Sequence, residues 1–182
     1  MHMDGARLMN AVVASGVPAS EWTRGFDTAW VDFSKGLGAP VGACLAGSRE
    51  LIDEAWRYKQ MIGGAMRQAG ILAAGALYAL DHHVERLADD HANARVLAGG
   101  LAGIEGVRID AGAVATNIVV FEVDDALALA RALEFQGVRM GALGPTRVRA
   151  VTHLDVDRSD VERAVEAVGA ALVERAPASR SR

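Results

Sequence analysis

With 182 residues and a 51% hydrophobic fraction, the chain has ample material for a buried core, which excludes disorder as its general state. A net charge of −4 without any long basic run argues against nucleic acid or an anionic membrane as partner. One cysteine, Cys44, excludes an internal disulfide framework, and no run of about 18 apolar residues exists for a transmembrane helix. The start, Met1 to Arg7, has no charged-then-apolar leader pattern, so the expected compartment is the cytoplasm.

Taken in chain order, residues 1–4 read as the end of a strand. Leu8, Ala11 and Val12 then fit a short helix from Gly5 to about Ser15, which Gly16 and Pro18 close. A helical turn follows over 19–24, with Ser20 as its cap. Thr28 to Phe33 is a strand, succeeded by a glycine-rich turn at 36–42 and a short apolar run from Gly42 to Leu45. Ser48 opens a helix that places Leu51, Ile52, Ala55 and Trp56 at helical spacing, and Gly63-Gly64 breaks it. Ala65 to Leu80 is alanine-rich and apolar nearly all round, the pattern of a helix buried on most sides. A third helix runs from Asp81 to about Leu101.

Beyond this point the pattern is that of a small α/β unit of β-β-α-β-β-α type. Its strands are Val107–Ile109, Asn117–Val123, Val138–Met140 and Thr146–Val151. Its helices are Ala126–Phe135 and a last one capped by Ser159 and ending near Arg175. A boundary near Leu80 divides the chain into residues 1–80 and 81–175, and the tail, 176–182, is expected to be disordered.

Only two of the 19 basic residues are lysines, Lys35 and Lys59. Arginine cannot replace a lysine whose neutral amine must act as a nucleophile, so each lysine is conspicuous in such a chain. Lys35 follows a strand, and ligands of α/β folds sit at the carboxyl ends of strands. Glycines at 36, 38 and 42 allow a sharp turn and a close approach to a ligand. Apolar neighbours would desolvate the amine and favour a Schiff base, and the Ser34 hydroxyl is placed to donate to a phosphate. On spacing alone, a lysine in a surface loop is the commoner explanation.

Arginines 147 and 149 share one strand face. Arginine's planar fork suits the α-carboxylate of an amino acid, although the solvated side of an edge strand is the plainer reading. Arg67, at the start of the alanine-rich helix, calls for an anionic partner. For Asp4 and Arg7 the plain explanation is a helix-capping aspartate with an i,i+3 ion pair. His82, His83, His91 and His153 lack the spacing of a helical metal site, so no metal is expected.

Four ordered blocks then carry a resemblance: His2-Met-Asp-Gly-Ala-Arg-Leu-Met-Asn10, Phe33-Ser-Lys-Gly-Leu-Gly-Ala-Pro-Val-Gly42, Ile62-Gly-Gly-Ala-Met-Arg-Gln-Ala-Gly70 and Arg149-Ala-Val-Thr-His-Leu-Asp155. The segment Asp89-Asp-His-Ala-Asn-Ala-Arg95 is similar as well. Together they resemble the C-terminal half of low-specificity L-threonine aldolases and phenylserine aldolases, which are fold-type I pyridoxal 5'-phosphate (PLP) enzymes. The chain departs from that pattern at Gln60, where relatives often carry lysine, and at Ala65, where many carry a third glycine.

The resemblance implies an aspartate-aminotransferase-like α/β fold: the C-terminal part of a PLP-binding large domain, then a small domain. It implies that Lys35 bonds PLP and that Asp4 keeps the pyridine nitrogen protonated. Arg7 would lie near the 3-hydroxyl oxygen, Ser34 and Arg67 near the phosphate, and Arg149 would grip the substrate carboxylate. The implied reaction cleaves a β-hydroxy-α-amino acid, such as L-threonine, L-allo-threonine or phenylserine, to glycine and an aldehyde. A homodimer or homotetramer is the implied assembly. Relatives also carry a preceding segment with a Gly-Thr phosphate loop and two active-site histidines, so this sequence is expected to be a truncated chain. The alternatives are a non-catalytic remnant that keeps the fold and a dimer surface, or another fold-type I PLP enzyme, an aminotransferase or a β-eliminating lyase.

Overall fold

The computed structural model describes residues 1–175. The chain divides into two compact units, one ending at Ala88 and the other starting at Asp89. The division falls beyond the expected boundary near Leu80, and the segment 176–182 lies outside the described residues.

The first unit begins with β1 (His2–Met3), α1 (Leu8–Ser15) and α2 (Ala19–Trp22). β2 (Thr28–Asp32) and β3 (Ala43–Gly47) complete a three-stranded sheet in the order β1-β2-β3. β1 runs parallel to β2, with Met3 opposite Ala29, whereas β3 is antiparallel, with Trp30 opposite Leu45. The turn from β1 to α1 presses against β2 so closely that a Cβ on Gly5 would lie 1.8 Å from the Trp30 carbonyl oxygen. No other residue fits there. α1 starts at Leu8, not at Gly5, because Arg7 still has a non-helical backbone (φ −136°).

α3 (Arg49–Met61) follows as expected from its cap: the Ser48 side chain accepts a hydrogen bond from the Leu51 N–H at 3.3 Å. α4 (Gly70–His82) corrects the expectation of a buried helix over 65–80. Residues 65–69 form an exposed turn, and within α4 only Ala76 and Ala79 are buried, while Ile71 is 83% exposed. A break at 83–86 then separates α4 from α5 (Leu87–Ala102), where one continuous helix was predicted from Asp81. The core of this unit is small: Leu37, Ala39, Ala79 and Leu87, with Met9, Val13, Phe33, Leu80 and Val84 packed against them.

The second unit contains most of α5, a 3-10 turn (Ala111–Ala113), β4 (Ile118–Glu122), α6 (Ala126–Phe135), β5 (Gly141–Ala142), β6 (Arg147–Val151) and α7 (Arg158–Arg175). Its sheet has the order β4-β6-β5, with every pairing antiparallel. The predicted strand at 107–109 is reduced to a single bridge between Arg108 and Glu122. The predicted strand at 138–140 falls instead at Gly141–Ala142, because Val138 packs into the core as the chain leaves α6. The last helix is capped two residues earlier than expected. Asp157 accepts from the Asp160 N–H at 2.9 Å and from the Ser159 hydroxyl at 2.8 Å, so Ser159 is already helical.

The core of this unit is continuous. Phe121, Leu129, Leu133, Val148 and Val168 are among its fully enclosed side chains. A buried polar clasp ties the end of β6 to β4 and α5. Asn117 donates to the Thr152 carbonyl (2.9 Å), and Thr152 donates its hydroxyl to the Asp90 carbonyl (2.7 Å).

Candidate active site

The parallel pairing of β1 with β2 puts the carboxyl ends of both strands on the same side of the sheet. Asp4 follows one of these ends and Lys35 the other, on the edge where α/β folds bind ligands. The pairing therefore places on one edge of the sheet two charged residues that are 31 positions apart in sequence.

Lys35 sits in a turn built by Asp32. One carboxylate oxygen of Asp32, Oδ1, accepts from the Ser34 N–H (2.7 Å), the Ser34 hydroxyl (2.9 Å) and the Lys35 N–H (2.9 Å). The other, Oδ2, accepts from Lys35 Nζ at 3.0 Å. Past the lysine the chain bends through Gly38, whose φ of +67° is a left-handed value that side-chain-bearing residues rarely adopt. Lys35 Nζ also lies 5.0 Å from the centre of the Trp30 ring, within range of a cation–π contact.

These contacts correct the expected surroundings of Lys35. A carboxylate and an indole face flank the amine, in place of a purely apolar sleeve, and its side chain is 38% exposed. Burial works against the charge of Asp32, but the hydrogen bonds from Lys35 and Ser34 outweigh it and hold the carboxyl below its ordinary value of 3.8. Sequence reasoning passed over Asp32 because its i,i+3 spacing to Lys35 spans a strand end and a turn, where helical spacing rules do not apply. An Asp-x-Ser pattern at a strand end was the usable signal, since short polar side chains bond the backbone two residues on.

Asp4 is exposed, and its Oδ1 accepts from the Ala6 N–H at 3.0 Å. It neither caps α1 nor shares a helical face with Arg7, because the helix has not begun at either residue. Arg7 is partly buried. The Ser34 hydroxyl is directed to Asp32. Arg67 lies in the exposed turn before α4, not in a buried helix start. In the second unit, Arg149 is on the exposed face of β6, opposite Val120 on one side and Gly141 on the other. Arg147 shares that exposed face and lies opposite Glu122.

The chemistry of the first unit's set fits PLP. It offers an amine able to bond an aldehyde, an exposed carboxylate for a ring nitrogen and a hydroxyl within a glycine-bearing turn, at the ends of two parallel strands. Among the described residues no group of three or more His, Cys, Asp or Glu side chains is arranged to hold a metal ion. No helix among them is long and apolar enough to cross a membrane.

The sequence model of the beta-eliminating lyase family matches residues 1–126. Low-specificity L-threonine aldolase 1 of Arabidopsis thaliana is 37% identical over 186 aligned residues, covering 100% of this chain and 52% of that protein. The low specificity L-threonine aldolase of Escherichia coli O157:H7 is 44% identical over 165 residues, covering 88% of this chain and 47% of that protein. The chain thus spans about half the length of the curated relatives it matches. Among solved structures, a candidate L-allo-threonine aldolase of Listeria monocytogenes superposes with a TM-score of 0.74 at 21% identity, over 93% of this chain and 51% of that one. A serine palmitoyltransferase variant from S. paucimobilis, solved with a PLP–myriocin adduct, gives 0.71 at 20% identity, over 95% of this chain and 47% of that one. The fold is that of the PLP-dependent transferases.

Proposed function

We propose, from the premise that the chain belongs to the beta-eliminating lyase family, that it is the C-terminal part of a PLP-dependent aldolase. That enzyme would cleave β-hydroxy-α-amino acids, such as L-threonine, L-allo-threonine or phenylserine, to glycine and an aldehyde. The observation that carries this reading is the position of Lys35 and Asp4 at the carboxyl ends of two adjacent parallel strands.

PLP, when bound, supplies an electron-withdrawing ring that takes up the electron pair released as the Cα–Cβ bond breaks. The chain's residues hold and tune it. Lys35 provides the amine that anchors the aldehyde carbon. Asp4 keeps a proton on the ring nitrogen by its negative charge, which sustains the ring's electron demand. Arg7 would lie near the 3-hydroxyl oxygen, and Ser34 and Arg67 would contribute to the phosphate environment. Arg149 would bind the substrate's α-carboxylate through its paired N–H donors. The partners in this reading are the amino-acid substrate and further copies of the same chain in a homodimer or homotetramer. Neither nucleic acid nor a membrane takes part, and the compartment is the cytoplasm.

The test is a product assay with phenylserine in the presence of PLP. The reading expects benzaldehyde and glycine in equal amounts, lost in Lys35→Ala. A keto acid in place of the aldehyde would transfer the chain to the aminotransferases.

A further inference from the structure

The two oxygens of Asp32 have separate tasks. Oδ1 builds the turn through three hydrogen bonds, while Oδ2 touches only the Lys35 ammonium at 3.0 Å among the bonds described for it. The Asp32 side chain is 10% exposed, so the contact is shielded from solvent on the acid's side. On the other side, Trp30 presents its ring to the same ammonium. Both partners hold the same nitrogen in place, and that nitrogen must leave the carboxylate before it can attack a carbonyl.

We propose that Asp32 is a positioning residue for Lys35: its carboxylate fixes the ammonium beside Trp30, and this ion pair must open before the amine reacts with an aldehyde. The reaction balances simply. The ammonium gives one proton to solvent, the neutral nitrogen adds to the aldehyde carbon, and a C=N bond replaces the C=O bond as one water leaves. Asp32 holds the starting geometry, with the nitrogen 3.0 Å from Oδ2, and the amine must swing away from it to reach the aldehyde. The inference rests on the reading of Lys35 as the PLP lysine, but its test does not depend on PLP.

The chain provides its own reference, because Lys59 is the only other lysine. Brief treatment of the intact chain with acetic anhydride at pH 7, followed by peptide mapping, gives the ratio of label at Lys35 to label at Lys59. Asp32→Asn keeps the Oδ1 acceptor and therefore the turn, while removing the charge. It is expected to raise the ratio by about two- to fivefold, the range for opening one partly exposed ion pair. Asp32→Glu restores the charge and should return the ratio toward wild type. Added salt should raise the wild-type ratio and leave that of Asp32→Asn unchanged.

An unchanged or lower ratio in Asp32→Asn would overturn the proposal. So would an equal rise in Asp32→Glu, which would show that loosening of the turn, not loss of charge, exposes the amine. A parallel arm traps PLP on the wild-type chain with borohydride. Label at Lys35 together with an unchanged anhydride ratio rejects the Asp32 proposal and keeps the cofactor reading. A raised ratio without PLP at Lys35 does the reverse.

Discussion

The two units of this chain differ in how they divide packing from chemistry. Among the described residues, the second unit encloses seventeen buried apolar residues in one cluster, whereas the main cluster of the first contains four. The first unit also leaves large apolar side chains in water: Ile71 and Ile62 are both more than 80% exposed, and Trp56 is 52% exposed. Yet the first unit holds Lys35, Asp4 and the strand-end geometry on which the proposed chemistry depends. Burial of apolar area is the main stabilising term in folding. The chemical residues therefore sit on the less consolidated half, and the better-packed half carries a single proposed contact, Arg149.

All three tryptophans, Trp22, Trp30 and Trp56, lie in the first unit. Tryptophan fluorescence then reports that unit, while circular dichroism reports both. The largest contrast is expected from core truncation. Phe121→Ala, at a site 1% exposed, should cost about 3–5 kcal/mol and shift the urea transition seen by circular dichroism. Ile71→Ala, at a site 83% exposed, should stay within about 0.5 kcal/mol. Equal costs would break the comparison.

A smaller effect is expected at the polar clasp. Thr152→Val removes the hydroxyl that donates to the Asp90 carbonyl and should cost about 1–3 kcal/mol in the second unit. Thr152→Ser keeps the donor and should lose less. Smaller again is the cap of α3: Ser48→Ala should cost about 1 kcal/mol and appear in the fluorescence transition.

The units should also part in their response to acid. Burial of His91, aided by Arg95 and opposed by Asp90, holds its ring below the ordinary value of 6.5. The unfolded chain then takes up the proton more readily than the fold. The stability due to His91 is present above pH 6.5 and declines as pH falls below it. Asp32, held below 3.8, contributes stability above that pH and loses it as pH falls through its lower folded value. Acid titration should therefore weaken the second unit's transition first, while fluorescence holds to about pH 4. A simultaneous loss by both probes would remove this distinction.

Legibility in the sequence followed the same division. α6 was readable to its ends, because Asp125 caps it and Ala126, Leu129 and Leu133 repeat on one buried face. Ser48 marked the start of α3 for the same local reason. The alanine-rich stretch misled, because periodicity reports composition and not what covers a helix. Glycine-rich turns also shifted the helix starts, leaving Arg7 and Arg67 outside the helices assigned to them. Lys35 was singled out by its scarcity and by the blocks shared with a known family, whereas its turn alone favoured a surface lysine. The Asp32 contact was not, because it depends on how a strand end and a turn meet in space.

The central claim, that Lys35 is the lysine that bonds PLP, is tested most directly by incubating the chain with PLP, reducing with borohydride and mapping the modified peptides. The account predicts label concentrated on Lys35 over Lys59, with Lys35→Ala leaving only the Lys59 background. Equal label on the two lysines of the wild-type chain would contradict it.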